Sequence, residues 1–481
     1  MNSTTTQTTV TRMYIADDLV PVELPIGGGK TRTIVLCWGD PVRVRQEGDT
    51  YIALLSGGGE DGRQWSEVKL PKGVRLAPTG LLQLRFVDVG QGDGAILTSP
   101  SGKTVIVDGG QEEHMRHYVC VAYREEIEAG GLSCEAIVVT HGDSDHMSGL
   151  TEMLRGAPNH AGERRAVLRP ARVFHNGLVK RPSRVSEAAR LGPTERVGEV
   201  TYAVELTDDV RVAPADGELN EPFQQWRAAL TAARRADGAA PEVVRLARGD
   251  DRKFDFLADD GVHVEVLGPI VESLPSGAPG LRLYGDPRSS KPSASQTING
   301  HSVVLRVAYG NVRMLLCGDM TEAAAERLLA RSRAEGRDLS AEVFKVPHHG
   351  TPDFSPALIA AVRPVISVIS SGDEGSGTEY IHPRAEQLGA LGRFAREGVE
   401  KPLIFVTELV AFFARARQAK AAGQDLREYT KSAFGIVHIR TDGRRLLVVT
   451  PSGKTDQVEA YAFEVADTGH VTPVPLRKCH A

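Results

Sequence analysis

The stretch THGDSDHMSGL (residues 140–150) holds two histidines and two aspartates within six positions, directly after the apolar run AIVVT. Imidazoles and carboxylates are the groups that bind Zn²⁺, Mn²⁺ or Fe²⁺. Alternate residues of an extended segment face one side, so His141, Asp143 and Asp145 can converge while His146 turns in from the next backbone step. This spacing predicts a metal site, and so many ligands favour two divalent ions, Zn²⁺ or Mn²⁺, that activate a water.

A polar turn is the alternative interpretation of this stretch. Asp145 would then be the N-cap of a helix over MSGLTEML. That interpretation suits a single His or Asp in a loop, whereas four such residues behind an apolar strand favour the metal site.

Five segments resemble, in the same order, the metallo-β-lactamase superfamily, and within it the branch typified by the hydrolase domain of the competence DNA-uptake protein ComEC. They are FVDVGQGDGAIL, VIVDGG, HGDSDH, MLLCGDM and VFKVPHHGT, and the resemblance spans about residues 81–383. The superfamily's second motif reads H-x-H-x-D-H, and this branch commonly has Asp at the second His, as Asp143 does here. The resemblance implies a four-layer αββα sandwich that carries out metal-dependent hydrolysis.

Residue roles follow from the resemblance. Asp319, after a short apolar strand and a glycine, is the expected bridging carboxylate. His348 and His349 are the late histidines, of which one binds metal and the other contacts substrate or orients a ligand. The implied metal ligands are His141, Asp143, Asp145, His146, Asp319, His348 and His349. We expect Asp145, Asp319 and His349 to serve catalysis, with Asp145 or another carboxylate beside the water as the proton acceptor.

Four further residues are expected around the centre. Asp108 is predicted to organise the site by hydrogen bonding. Asp93, in the turn GQGDG, either reaches the cleft or is an ordinary hairpin aspartate. Lys345 either contacts a substrate phosphate or is a surface lysine, and His382 matches a His-Pro word of the branch that implies a place on the substrate side.

The third motif of the superfamily has no clear counterpart. His301, in NGHSVVLRV, and His175, in VFHNGL, are the two candidates for its histidine ligand. Asn299 and Ser302 match the branch at this point instead. The first metal position is therefore expected to be weak, oxygen-rich or filled only with substrate. Because Asp143 adds a hard oxygen, we also predict that Mn²⁺ supports activity at least as well as Zn²⁺.

The elements that must position these residues suggest three regions. Residues 1–78 contain short β-rich pieces between Gly-rich turns and are predicted to form a small β-domain, with an SH3-like barrel as the expected type. Residues 79–450 alternate strands with helices, which indicates an α/β hydrolase domain, with an insertion at about 151–260. Residues 451–481 are predicted to be a C-terminal extension.

Charge suggests what the cleft binds. The chain has a net charge of −5, yet residues 155–190 hold nine Lys or Arg against two acids, a local +7. Such a basic segment beside a hydrolytic site would hold a polyanion by its phosphates. A solvated, arginine-rich surface is the alternative.

The expected function is therefore a phosphodiesterase or nuclease that cuts DNA or RNA with a metal-activated hydroxide. A small-molecule phosphodiesterase or phosphorylcholine-esterase-like enzyme is the first alternative, and a lactonase or β-lactamase-type hydrolase fits less well. Another class is an effector of a defence or signalling system that binds a protein partner through the N-terminal β-domain. Five cysteines without C-x-x-C spacing, and no apparent signal peptide or membrane span, suggest a cytoplasmic protein that does not enter a membrane.

Overall fold

A computed structural model describes most of the chain. The described residues are 10–58, 64–111, 113–156, 165–212, 214–287, 289, 291–372, 382–410, 412–415, 419–421, 424–426, 429–433, 435–451 and 458–479. Two charged residues of the basic segment, Glu163 and Arg164, lie outside them.

The chain is a mixed α/β protein in which strands predominate. The strands are β1 (Thr11–Ile15), β2 (Leu19–Gly27), β3 (Lys30–Cys37), β4 (Pro41–Glu47), β5 (Thr50–Gly58), β6 (Gln64–Lys69), β7 (Leu76–Ala77), β8 (Leu82–Val87), β9 (Ala95–Thr98), β10 (Thr104–Val107), β11 (Leu132–Val138), β12 (Leu168–His175), β13 (Thr194–Val197), β14 (Val200–Ala203), β15 (Glu242–Arg245), β16 (Val262–Gly268), β17 (Glu272–Ser273), β18 (Pro279–Arg282), β19 (Val304–Tyr309), β20 (Val312–Leu316), β21 (Val343–Lys345), β22 (Ile366–Ile369), β23 (Leu403–Val406), β24 (Phe412–Arg415), β25 (Ala419–Ala421), β26 (Gln424–Leu426), β27 (Tyr429–Ala433), β28 (Ile436–Thr441), β29 (Arg445–Pro451), β30 (Val458–Val465) and β31 (Val471–Val474). The helices are α1 (His114–Ala122), α2 (Arg124–Glu128), α3 (Ser144–Leu154), α4 (Glu221–Ala232), α5 (Ala294–Gly300), α6 (Glu322–Ala334), α7 (Pro356–Val362) and α8 (Ala385–Arg393).

Two large sheets carry the middle of the chain. The first has ten strands in the order β15-β12-β11-β10-β9-β8-β28-β29-β30-β31, and the second has six in the order β16-β19-β20-β21-β22-β23. Strands β10, β11, β12 and β15 run parallel, as do β20, β21, β22 and β23. Apolar runs such as TVIV in β10 and ISVI in β22 are buried throughout, as expected for parallel strands covered on both faces.

Apolar side chains from both sheets meet in one core. Leu84, Phe86 and Val138 of the ten-stranded sheet belong to the same buried cluster as Leu305 and Met314 of the six-stranded sheet. The opposite face of the ten-stranded sheet packs against α1, α3 and α4, and that of the six-stranded sheet against α6, α7 and α8. The mixed α/β class predicted from alternating strands and helices is confirmed.

The N-terminal strands form a five-stranded sheet, β6-β5-β4-β1-β7, beside the hairpin β2-β3, with an apolar cluster of their own. A buried ion pair joins this region to the ten-stranded sheet, because Arg445 Nη2 of β29 lies 2.6 Å from Asp18 Oδ2. The polar groups at this contact are satisfied by each other, as buried charges require.

Two segments contribute more to the sheets than the predicted boundaries suggest. The predicted insertion (151–260) supplies β12 and β15 of the ten-stranded sheet, and the predicted extension (451–481) supplies β30 and β31. Sequence periodicity detects strands but not their partners, which explains the difference. Among the described residues, no helix combines the length and the apolar character needed to cross a membrane.

Candidate metal centre

The predicted site residues follow the carboxyl ends of parallel strands in both sheets. Asp108 follows β10, the segment 141–146 follows β11, and Asp319 follows β20. His348 and His349 follow β21, which runs parallel to β20. Ligand sites in open α/β sheets form at the carboxyl ends of the strands, because loops from neighbouring strands meet there.

Three imidazoles converge on the carboxylate of Asp319. The Nε2 atoms of His141, His146 and His349 lie 3.9, 3.3 and 3.0 Å from its nearest oxygens. Asp145 joins them, since its Oδ2 lies 3.5 Å from His349 Nε2. One ligand atom each from Asp145, His146, Asp319 and His349 fall within 4.8 Å of one another.

The buried polar atoms at this point lack other partners. In the described structure, the Nε2 atoms of His141, His146 and His349 and the Oδ1 of Asp319 are buried without a hydrogen-bond partner. Unpaired buried polar atoms are costly and rare, so several facing one point indicate a missing ligand. Two ligands of one Zn²⁺ lie roughly 3–3.5 Å apart, which matches the distances of His146 and His349 from Asp319, while the His141 distance of 3.9 Å is longer. The residues therefore fit a divalent metal ion.

Each inward-facing imidazole is held through its other nitrogen. Nδ1 of His146 donates to Asp108 Oδ2 at 2.8 Å, and Nδ1 of His349 donates to the carbonyl oxygen of Ser370 at 2.9 Å. Nδ1 of His141 lies 3.2 Å from the hydroxyl of Thr140. Metal-binding histidines are commonly oriented in this way.

Asp108 plays the organising part predicted for it. It is fully buried, and its two oxygens accept from the backbone N–H and the hydroxyl of Thr140, at 2.8 and 2.6 Å, as well as from His146. Its backbone is left-handed, with φ of 57°, and so is that of His348 and His349, at 52° and 54°. Non-glycine residues in this region carry strain, which is concentrated at functional sites.

Electrostatics inside the cluster favour positive charge. Burial opposes the charged imidazole of His146, but Asp319 and Asp108 raise its pKa well above the usual value. Burial likewise opposes a charged His349, and Asp319 raises its pKa well above normal. Burial and then His146 lower the pKa of His141. Carboxylates that stabilise protons on imidazoles also stabilise a divalent cation, which displaces those protons on binding.

Asp93 and Lys345 form a support for His349. The Asp93 carboxylate pairs with the Lys345 ammonium and lies 3.3 Å from Nδ1 of His349. Lys345 is buried and donates to the carbonyl oxygen of Gly318 at 3.2 Å, directly before Asp319. Lys345 thus braces the loops of the centre and is not a surface lysine.

Asp143 differs from its predicted role. It occupies the N-cap position of α3, but its side chain does not cap the helix. Its Oδ1 lies 2.6 Å from the ammonium of Lys180 instead, outside the converging cluster. The nearby cation draws the carboxylate away, so the premise of the Mn²⁺ prediction is not supported.

His348 lies at the edge of the cluster. Its Nε2 is 3.3 Å from Asn299 Nδ2, and burial lowers its pKa. Of the two late histidines, His349 faces the metal-binding point and His348 is turned toward Asn299. The carbonyl oxygen of His382 lies 3.4 Å from the hydroxyl of Ser371, on the loop after β22.

The two candidates for the third-motif histidine are not supported. Nε2 of His301 lies 2.8 Å from the carbonyl oxygen of Arg282. His175 uses both ring nitrogens, with the carbonyl oxygen of Asp208 and the N–H of Gly177. Burial lowers the pKa of both histidines to about 4, as for neutral imidazoles inside a protein.

Ser302 stands where the third-motif histidine was sought. Its hydroxyl lies 3.4 Å from His141 Nδ1 and accepts the backbone N–H of Asp319 at 3.0 Å. This contact was not predicted from the sequence, and neither were the contacts of Thr140 with Asp108, Lys180 with Asp143 and Ser370 with His349. Each of them joins residues far apart in sequence. The match of Asn299 and Ser302 to the family branch was the one signal in the sequence that pointed to this part of the site.

The basic segment is divided by the fold. Arg155, Arg165 and Arg169 line one surface at the amino-terminal end of β12, whereas the metal centre lies at the carboxyl ends of the strands. Arg169 and His175 are six residues apart on β12, roughly 20 Å. Nearer the centre, Lys180 pairs with Asp143, and Arg181 pairs with Glu205. The predicted +7 strip is therefore not one surface beside the centre.

Neither the family models nor the curated proteins compared with this chain include a match.

Proposed function

We propose that this chain is a metal-dependent hydrolase of phosphodiester bonds. The observation that carries the proposal is the convergence of His141, His146 and His349 on Asp319 through buried atoms without hydrogen-bond partners in the described structure. Side chains of this kind bind Zn²⁺ or Mn²⁺. A divalent cation there lowers the pKa of a water and stabilises the negative charge that develops on a phosphate.

Two divalent ions are proposed, and His141, His146, His349 and Asp319 would hold them. The Oδ1 of Asp319 faces His146, whereas its Oδ2 faces His349 and His141. Each oxygen thus has its own imidazole partners, which suits a bridging carboxylate. Asp108 and the carbonyl oxygen of Ser370 keep the rings of His146 and His349 in place.

Proton transfer is assigned to Asp145. Its side chain is 21% exposed, against 4% for Asp319, so it has the better access to solvent. Burial opposes the charged carboxylate of Asp145, but His146 and His349 lower its pKa overall, which keeps the carboxylate ionised. Asn299 and His348, at the edge of the cluster, are placed to donate hydrogen bonds to substrate oxygens.

Membership of the metallo-β-lactamase superfamily, in a ComEC-like branch, is part of the proposal. Helices α1, α3 and α4 against one sheet, and α6, α7 and α8 against the other, support a four-layer αββα sandwich. The N-terminal sheet with its own apolar cluster supports a separate small β-domain.

DNA or RNA remains the first substrate to test, and a small phosphodiester is the second. The division of the basic segment is the reason to test the small phosphodiester beside the nucleic acids, because a polymer would need an extended cationic surface leading to the centre.

The test is cleavage after metal removal and readdition of Mn²⁺ or Zn²⁺. Substrates are single- and double-stranded DNA, RNA and bis-p-nitrophenyl phosphate. Asp319→Ala and Asp145→Ala are compared with the wild type and with Asp237→Ala, which removes an exposed aspartate paired with Arg235. Loss in the first two variants alone supports the proposal. Bound metal without cleavage of any of these phosphodiesters contradicts it.

A further inference from the structure

A cavity lies away from the metal centre, between the N-terminal sheet and the ten-stranded sheet. Its volume is about 610 Å³, and residues of β1, β8, β9 and α2 line it. Leu132 and Ser133, at the start of β11, belong to its wall, whereas His141 follows the end of that strand. Cavities of this size between two structural units are common sites for organic ligands.

The sheet face at this cavity is unusually polar. Gln83 and Arg85 of β8 alternate with core residues such as Leu84, and they pair with Arg440 and His438 of β28. A sheet face covered by other elements is normally apolar, because buried polar groups must find partners. Arg440 is paired with Asp40 and Gln83 donates to the carbonyl oxygen of Gly39, whereas Arg85, which lines the cavity, has neutral partners.

Three arginines line the cavity without a carboxylate partner. Arg85 donates to neutral groups, to Tyr123 Oη at 2.8 Å, to Gln83 Oε1 at 2.8 Å and to His438 Nε2 at 3.3 Å. Arg169 donates to the carbonyl oxygen of Gly130, and Arg12 lies over the ring of Tyr14. No ion pair joins any of the three to an acid in the part of the chain that is described, so their charge is available to an anion.

The remaining lining groups suit the rest of such a ligand. Tyr14 and Tyr123 line the cavity, with the guanidinium of Arg12 over the first ring and that of Arg85 over the second, and aromatic rings of this kind contact planar groups. The hydroxyl of Thr98 is buried and has no hydrogen-bond partner within the described residues. Glu126 is the acid among the lining residues, and it lies on the exposed side of α2.

We propose that this cavity binds a nucleotide-sized phosphorylated molecule. Arg12, Arg85 and Arg169 hold its phosphates, since one guanidinium group can donate two parallel hydrogen bonds to the oxygens of a phosphate. A tyrosine ring contacts the base. The proposal does not depend on the function of the metal centre, because the two sites share no residue.

The experiment is calorimetric titration of the full chain with ATP, GTP, pyrophosphate and inorganic phosphate, in EDTA so that the metal centre is empty. Arg12→Gln and Arg169→Gln, both at the rim, are expected to weaken nucleotide binding about tenfold or more, as for loss of a charge-assisted hydrogen bond. Arg155→Gln is the matched control, because Arg155 is exposed at the same end of the sheet but does not line the cavity.

Asp319→Asn serves as the second control and should bind the nucleotides as the wild type does. Nucleotide binding that fails in Arg12→Gln and Arg169→Gln but persists in both controls supports the site. No binding of any probe overturns it. An equal loss in Arg155→Gln also overturns it, since that result shows a general cationic field, and a loss in Asp319→Asn would place the nucleotide at the metal centre.

Discussion

Asp108 Oδ2 lies 2.8 Å from Nδ1 of His146, and this bond turns the opposite nitrogen of the ring toward Asp319. The carboxylate that orients the ring thus comes from the loop after β10, while the ring itself comes from α3. Neither could fix the position of the Nε2 atom alone.

Asp108→Asn should lower the affinity for Mn²⁺ or Zn²⁺ without removing a metal ligand. Asparagine tolerates the left-handed backbone of this position but has one acceptor oxygen where Asp108 uses two. The expected loss is about 10–100-fold, as for other partners of metal-binding histidines. Competition with a fluorescent chelator measures it, with Asp237→Asn as the control, and unchanged affinity would contradict the role assigned to Asp108.

Asp143→Asn and Asp145→Asn form a matched pair that separates the two predicted ligands. Asp145 faces His349, whereas Asp143 is paired with Lys180. We expect Asp145→Asn to weaken metal binding by roughly tenfold or more, and Asp143→Asn to leave it nearly unchanged. The measurement is the metal content that each variant retains after dialysis against a limiting amount of chelator. A greater loss in Asp143→Asn would show that Asp143 leaves Lys180 to bind the ion.

Gly92→Ala should destabilise the chain and disturb the loop that carries Asp145. Gly92 has φ of 111°, and a Cβ there would lie 1.8 Å from the carbonyl oxygen of Asp145. Because that atom is backbone, relief requires movement of the loop, and the expected cost is above 3 kcal/mol, roughly the range of severe point mutations. Gly102→Ala, at φ of 98° with nothing within 4 Å, should cost only about 1 kcal/mol from the backbone conformation.

Urea unfolding followed by tryptophan fluorescence compares the two glycine variants. Equal destabilisation would show that the contact with Asp145 adds nothing to the strain of the positive φ.

His301 should make the stability of the fold depend on pH. Burial lowers its pKa to about 4 from the usual 6.5, so the unfolded chain binds a proton between these values that the folded chain does not. The neutral His301 therefore makes its full contribution to the free energy of unfolding above pH 6.5, and this contribution is lost as the pH falls toward 4. The shift corresponds to about 3 kcal/mol.

His301→Gln removes this titration but keeps a donor for the carbonyl oxygen of Arg282. The free energy of unfolding should fall less steeply in the variant than in the wild type between pH 6.5 and 4. Parallel pH curves would contradict this, because they would mean that His301 has the same pKa in the folded and the unfolded chain.

Much of the candidate site could be predicted from local sequence. Polar residues directly after apolar strands, as at Asp108, His141 and Asp319, are recognisable because strand ends and parallel packing bring such residues to one edge. The pairing of Asp143 with Lys180 was beyond this reasoning, since the two residues are 37 positions apart and meet only through the loop after β12.

The prediction of one basic surface beside the metal centre was wrong for the opposite reason. Its arginines are close in sequence, but a strand runs between them and carries them to different ends of the sheet. Counting charges along the chain cannot detect this separation, whereas the direction of β12 gives it at once.

The pairing of β8 with β28 bears on how the protein is made. Arg85 and His438 stand side by side in the sheet, yet 353 positions separate them. A chain still emerging from the ribosome has made the segments that supply Asp108, His141 and Asp319 long before the strand that closes this sheet edge exists. An open edge is prone to mispairing, and contacts so distant in sequence form slowly. Completion of the sheet therefore follows synthesis of all the residues placed at the metal centre.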